Sequence, residues 1–154
     1  MKLSIRPAQT TDLKQIQNML NNLHNERTKL WEHATKKFHT QIKSRPKLRI
    51  NDLKKNIFII AEQDSEIIGF VVGNISSRKN YIYTKLGYID ILYIQQIFRK
   101  SGIATKLIKN LILIFKTKGC DHITTHTDAE NMLAQHLYEQ IGMKKVTIEY
   151  WKNI

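Results

Sequence analysis

Polar and apolar positions alternate over residues 2–6, which predicts a short strand, and Pro7 to Thr11 breaks the pattern and supplies a helix cap. Leu13, Ile16, Leu20 and Leu23 then recur at helical spacing, so an amphipathic helix follows. From His24 to Lys55 the pattern is irregular and basic, with Pro46 interrupting it, and a short helix with mobile loops is expected. Ile57 to Glu62 and Ile67 to Ile75 are β-rich runs, and the polar cluster Gln63-Asp64-Ser65-Glu66 between them predicts an antiparallel hairpin. A third such run spans Leu86 to Ile94.

In the second half, Ala104, Leu107, Ile108, Leu111, Ile112 and Phe115 fall on one helical face of Gly102 to Lys118, with Lys116 and Lys118 in the last turn and Gly119 as the stop. His122 to His126 reads as a strand, Thr127 or Asp128 as the cap of a helix reaching about Gln140, and Lys145 to Trp151 as a closing strand. The order is β-α-(loop or α)-β-β-β-α-β-α-β, an α/β pattern over residues 1–154 with no internal repeat and no low-complexity linker.

With 154 residues, 42% of them hydrophobic, the chain suits one domain with a real core. The longest apolar runs, such as Leu111 to Phe115, fall far short of the ~20 residues a spanning helix needs, so a soluble protein without a membrane partner is expected. The first residues lack the apolar core and cleavage site of a secretion signal, and the lone Cys120 can form neither an internal disulfide nor a multi-cysteine metal site; both point to the cytoplasm. Lys and Arg number 25 against 13 Asp and Glu, a formal charge of +12, which attracts anions: nucleic acid, anionic lipid or a phosphate-rich cofactor. A lysine-rich surface kept for solubility explains the same charge, so charge does not choose among them.

The stretch from Asp90 to Ala104 runs from strand through loop to helix N-terminus. The first-turn N–H groups of a helix have no intrahelical partner and the dipole adds a positive end, so such a junction holds a pyrophosphate. Gly102 and Ala104 keep it open, and Arg99 and Lys100 add positive charge beside it. The run Arg99-Lys100-Ser101-Gly102-Ile103-Ala104, preceded by the strand Leu92-Tyr93-Ile94, resembles the Gln/Arg-x-x-Gly-x-Gly/Ala motif of the GNAT acetyltransferase superfamily. The segment from Asn131 through Ala134 and Tyr138 to Gly142-Met143 is similar to that family's Asn-x-x-Ala-x-x-x-Tyr-x-x-x-Gly-Phe/Met pattern. Many members have Gly directly after the Arg, where this chain has Lys100, which makes the loop bulkier.

The resemblance implies the GNAT fold, a mixed sheet of about six to seven strands flanked by helices and splayed between its two central parallel strands. It also implies acetyl-CoA as cofactor and transfer of the acetyl group to a primary amine of a small molecule or peptide by direct attack in a ternary complex. Residues 99–104 would hold the pyrophosphate, the amides of Leu92 and Ile94 the acetyl carbonyl and pantetheine arm, and the Asn131 side chain the same arm. Tyr138 falls where the family commonly places the general acid for the departing thiolate, and it also lies on an apolar helix stripe with Leu137 and Ile141.

An attacking amine must lose a proton. Asp90 interrupts an apolar strand two positions before Leu92, which simple alternation puts on the same face, and a buried carboxylate there would have a raised pKa. It is also similar in place to the Glu of the Leu-Glu-Asp-Leu-Tyr-Val-like strand of polyamine acetyltransferases. His126, near Asp128 at a strand end, is the second candidate base, because imidazole exchanges protons near neutrality. For both, a satisfied polar residue is an equal reading. Cys120 is not expected to carry the acetyl group, and no metal site is expected, since His122 and His126 would sit too far apart along a strand.

Two other function classes remain: a basic nucleic-acid-binding module using Lys36 to Lys55 with Trp31 and Phe38, for which no binding motif is found, and a non-catalytic acyl-CoA-binding domain. Nucleic acid is not the expected partner, and a homodimer is left open. The acceptor would be read by residues 24–55 and the closing strand. The basic, aromatic-bearing segment favours an acceptor with a negative group over a free polyamine, and an aminoglycoside or a protein N-terminus also fits.

Overall fold

The structure, a computed structural model, describes residues 3–34, 47–79 and 81–148. Strand β1 (Leu3–Pro7) leads through one 3₁₀ turn into helix α1 (Leu13–Ala34), and helix α2 (Ile50–Lys55) precedes strands β2 (Ile57–Gln63), β3 (Glu66–Ser77) and β4 (Lys85–Ile94). Helix α3 (Ile103–Thr117), strand β5 (His122–Thr125) and helix α4 (Met132–Gln140) follow. The predicted first helix, ending at Leu23, is eleven residues too short, because no Gly or Pro lies between Leu13 and Ala34 to stop it. Most of the basic segment, residues 35–46, lies outside the described residues, as do Trp151 and its neighbours.

The strands form one sheet in the order β1-β2-β3-β4-β5. The first three neighbouring pairs are antiparallel and β4 and β5 are parallel. The expected architecture is present with five strands among the described residues instead of six or seven. Residues 145–148 of the expected closing strand make no strand, and Val146 and Ile148 are exposed there.

Apolar residues of the sheet serve both faces. Phe58, Ile60, Phe70, Val72 and Tyr93 pack with Ile16 and Met19 of α1, while Ile59, Val71, Ile89 and Ile94 pack with Leu107, Ile108, Leu111 and Phe115 of α3. The central run of β3 is buried on both sides, as a sheet sandwiched between helices requires. Under α3 the sheet carries glycine where side chains of the helix come closest. A Cβ at Gly87 would stand 2.7 Å from the Phe115 ring, and one at Gly73 would meet Phe115 and Leu111 at 2.7 and 2.8 Å.

Between β3 and β4 the register slips: Val72 faces Ile91 and Gly73 faces Ile89, so Asp90 stands unopposed in a β-bulge. One consequence is a break in alternation. Ile89 and Leu92, three residues apart, both pack on the α3 side, whereas Ile91 and Tyr93 pack on the α1 side. Asp90 is the inserted residue, so simple alternation does not carry across it and the two-residue step to Leu92 does not fix its face.

The start of the chain is pinned by Arg6. Its guanidinium bonds both carboxylate oxygens of buried Asp12, at 2.8 and 3.1 Å, and donates to Glu62 on β2 at 2.7 Å. Asp12 also accepts from the Gln9 N–H at 2.7 Å, closing the entry into α1. The Arg6 hydrogen bond holds the Asp12 carboxyl below the usual carboxylate range.

Two outcomes follow from this packing. Gly87→Ala forces the Phe115 ring to move and should destabilise the fold by about 1–3 kcal/mol, seen as a fall in Tm on thermal unfolding. Asp12→Asn should cost about 1–3 kcal/mol at neutral pH. Because the folded pKa of Asp12 is depressed, its contribution is complete above the unfolded carboxylate pKa and disappears as pH falls through the folded one. Urea unfolding should accordingly show the gap between wild type and variant closing on acidification.

Candidate active site

The parallel ladder between β4 and β5 covers only Leu86 to Ile89 against His122 to Thr125. Beyond it β4 runs on to Ile94 paired with β3, and among the described residues its other edge has no partner strand over 90–94. Alternate N–H groups of a strand point to alternate sides, so part of this backbone offers unpaired donors to the gap. The Thr125 hydroxyl closes the ladder by donating to the Ile89 carbonyl at 2.9 Å.

Five side chains gather at this fork. Tyr88 comes from β4, Asp90 from the bulge, Thr125 and His126 from the end of β5, and Tyr138 from α4. The Tyr88 hydroxyl lies 3.1 Å from His126 Nδ1. Burial pushes the Tyr138 phenol up, against the opposing effect of a hydrogen bond with Thr125, so the hydroxyl keeps its proton at neutral pH. Tyr138 also packs against the α3-side core, which agrees with its packing reading. The Tyr88 phenol is raised by burial first, then by the charges of Asp90 and Tyr138.

Asp90 is not buried as expected; its side chain is exposed at the fork. The protein around it still excludes enough water to push its carboxyl above the usual range. His126 is exposed too. His122, predicted to share its face, stacks instead on Tyr83 with ring centroids 4.0 Å apart.

The junction to α3 is open. Gly102 is the N-cap in a left-handed conformation, φ 78°, and no side chain caps the first turn. A Cβ added at Gly102 would meet nothing within 4 Å, so the space over the first-turn amides is clear. The first helical bond is that of Lys106 N–H to the Gly102 carbonyl, 3.1 Å. Lys100 also has positive φ, 61°, at the position where many family members have glycine. Here a lysine bears the left-handed backbone at some steric cost, and its exposed side chain brings a cation to the turn.

Arg99, in contrast, is engaged within the fold. It donates from Nε to the Ile94 carbonyl at 3.0 Å, pairs with Glu26 of α1, and lies over the Tyr93 ring at 5.6 Å. Tyr93 donates its own hydroxyl to Glu26 at 3.1 Å. This knot fixes the turn against α1, so the charge expected of Arg99 is spent within the fold. Leu92, Tyr93, Ile94 and Ile103 have their side chains in or against the core, and Ser101 bonds back to the Phe98 carbonyl; these positions can serve a ligand through backbone groups. Asn131 is itself the N-cap of α4, its Oδ1 accepting from Ala134 N–H at 3.2 Å, and not a first-turn residue behind a cap at Thr127 or Asp128. Its side-chain amide NH₂ is the part left to face a ligand. An open cavity of about 470 Å³ adjoins the knot, lined by Asn22, Asn25, Glu26, Tyr93, Gln95, Gln96 and Ile97.

Sequence reasoning missed Tyr88, Thr125 and Glu26. Tyr88 stands two residues from Asp90, which was a usable signal, but its pairing with His126 depends on parallel register. Glu26 is 73 residues from Arg99, and nothing local links them.

Comparison with known proteins agrees with this geometry. The family model described as acetyltransferase (GNAT) family matches residues 18–143. N-alpha-acetyltransferase 30 of Homo sapiens is 30% identical over 83 residues, 54% of this chain and 22% of that protein. The Saccharomyces cerevisiae protein of the same name is 35% identical over 75 residues, 49% of this chain and 42% of that one. The chain thus spans less than half the length of these curated relatives. Among solved structures, a transcriptional regulator from Bacillus halodurans C-125 shares the fold at TM-score 0.73 and 22% identity, covering 99% of this chain and 100% of that one. Aminoglycoside N-acetyltransferase AAC(6')-Iy bound to a bisubstrate analogue has TM-score 0.72 at 20% identity with both chains fully covered. A ribosomal-protein-alanine N-acetyltransferase from Brucella melitensis has TM-score 0.73 at 16% identity, again with both chains fully covered. The family match runs from within α1 to just past α4 and so contains both the uncapped turn and the strand fork, and this protein belongs to the acetyltransferase (GNAT) family.

Proposed function

We propose that the protein binds acetyl-CoA along the unpaired edge of β4 and transfers the acetyl group to a primary amine of a small molecule or peptide by direct attack in a ternary complex. The observation that carries this reading is the end of the β4–β5 ladder at Ile89 and Thr125, next to an uncapped α3 N-terminus with clear space above Gly102. The donor set fits the cofactor. Backbone amides of 101–104, with Lys100, suit a pyrophosphate, and amides of 90–94 suit the thioester carbonyl and pantetheine arm.

When bound, acetyl-CoA supplies an acetyl group activated as a thioester. Amides along 90–94 would polarise its carbonyl where negative charge develops. The protonated Tyr138 hydroxyl would donate a hydrogen bond to the leaving sulfur. Asp90 or His126 takes the amine proton, directly or through water; Tyr88 orients His126 through the bond at Nδ1. Cys120 has no place in the reaction, since it packs against the α3-side core and burial pushes its thiol up, away from the reactive thiolate. The relatives named above act on protein N-termini and aminoglycosides by their names, and both are amines of the proposed class.

Calorimetric titration with acetyl-CoA is the direct check. Wild type should bind, and Gly102→Glu, which puts a side chain and a negative charge over the first-turn amides, should remain folded and lose binding; a wild type without affinity sinks the reading. With an amine acceptor in hand, Tyr138→Phe should lower kcat about a hundredfold or more while acetyl-CoA affinity is kept. Unchanged turnover would remove Tyr138 from the acid role. Because a base must be deprotonated and Asp90 is raised, an Asp90-dependent rate should climb with pH above the usual carboxylate range, and Asp90→Asn should abolish that limb.

A further inference from the structure

At the end of β4 opposite the phosphate turn, the connection between β3 and β4 exposes three consecutive large side chains: Tyr81 at 64%, Ile82 at 95% and Tyr83 at 52%. Single exposed apolar residues are ordinary, but a contiguous group calls for a partner. Ile82 contributes almost nothing to the fold, being open to water nearly all round. The segment is nevertheless held in place. The Arg78 guanidinium lies 5.4 Å from the Tyr81 ring centre, Tyr83 stacks on His122, and Asp121 accepts from the Thr84 N–H at 2.8 Å and the Lys85 N–H at 3.2 Å. The surroundings are cationic: Arg78, Lys79, Lys85 and Lys118 flank the three residues, and Lys85 Nζ reaches the Lys118 carbonyl. The neighbouring acid, Asp121, is engaged with Thr84 and Lys85.

We propose that this connection docks the protein on an anionic membrane surface, with Ile82 entering the acyl boundary, Tyr81 and Tyr83 at headgroup level, and the four cations on acidic headgroups. Tyrosines favour that interface because they join an apolar ring to a polar tip. Basic side chains beside an anionic leaflet add attraction that salt weakens. Single-stranded nucleic acid would use the open faces of the rings for stacking. The most exposed group here is aliphatic, and one face of each tyrosine is already covered by Arg78 or His122. No described helix is long and apolar enough to cross a membrane, which concerns spanning and not surface contact. The ten-residue β4 separates the connection from the phosphate turn by about 30 Å, so docking leaves the turn free.

Flotation with phosphatidylcholine vesicles, with and without phosphatidylserine, tests the proposal on the full chain. Wild type should float with the serine-containing vesicles alone and be released by salt. Ile82→Ser, folded and with acetyl-CoA affinity unchanged, should bind about tenfold more weakly, and Ile82→Trp should bind more tightly. Wild type that ignores the anionic vesicles, or Ile82→Ser that binds them as well as wild type, overturns the idea. Capture of poly(U) lost in Ile82→Ser, with no vesicle binding, would overturn it in favour of a nucleic-acid partner. Since acetyl-CoA titration is read separately, failure here leaves the acetyltransfer reading standing.

Discussion

Strand β4 is paired along one edge for its whole length and along the other only as far as Ile89, and this half-open edge is the constraint on which the rest of the molecule depends. A backbone left unpaired inside a sheet is costly unless water or a ligand satisfies it. Under the proposed function, this row of donors would meet the carbonyl and the amide-bearing arm of the cofactor. The bulge at Asp90 lies where the ladder ends. It turns the strand's alternation over by one residue, places a carboxylate at the fork, and lets Leu92 and Ile94 still reach the α3 core.

Two devices keep that edge in position. On one face, Gly73 and Gly87 let Phe115 and Leu111 lie directly on the sheet, so α3 and its open N-terminus are set at a fixed height above β4. On the other, Glu26 ties Arg99 and Tyr93 to α1. The motif arginine thus works as a structural clamp, and the proposed anion site would rely on backbone amides, the helix dipole and Lys100. The division is physically sensible. A guanidinium paired with a carboxylate has little field left for a distant phosphate, whereas uncapped N–H groups point outward with nothing to neutralise them.

In the proposed reaction the fork would separate chemical duties by environment. Tyr138 is partly buried, bonded to Thr125 and kept protonated, which suits a donor. Asp90 and His126 are exposed, where an incoming amine can reach them. Tyr88 connects the two sets, bonded to His126 and close enough to feel the Asp90 charge.

What the sequence determined by itself was local and periodic. The apolar spacing of α3, the turn cluster at 63–66, the Arg99 to Ala104 motif and the Tyr138 segment each carry their message within a few residues, and α3 and the β2–β3 hairpin stand where their patterns placed them, to within a residue or two. The length of α1 and the start of α4 were less legible, because caps and stops are single-residue signals that compete; Asn131 prevailed over Thr127 and Asp128 by bonding the Ala134 N–H. Only the tertiary structure decided the bulge at Asp90, the Tyr88–His126 pair and the Glu26–Arg99 clamp. A register slip is a property of two strands and a clamp of two distant segments, so neither leaves a period in one stretch of chain. The exposure of Tyr81, Ile82 and Tyr83 belongs to the same class, since an apolar triplet reads alike in sequence whether a fold covers it or leaves it in water.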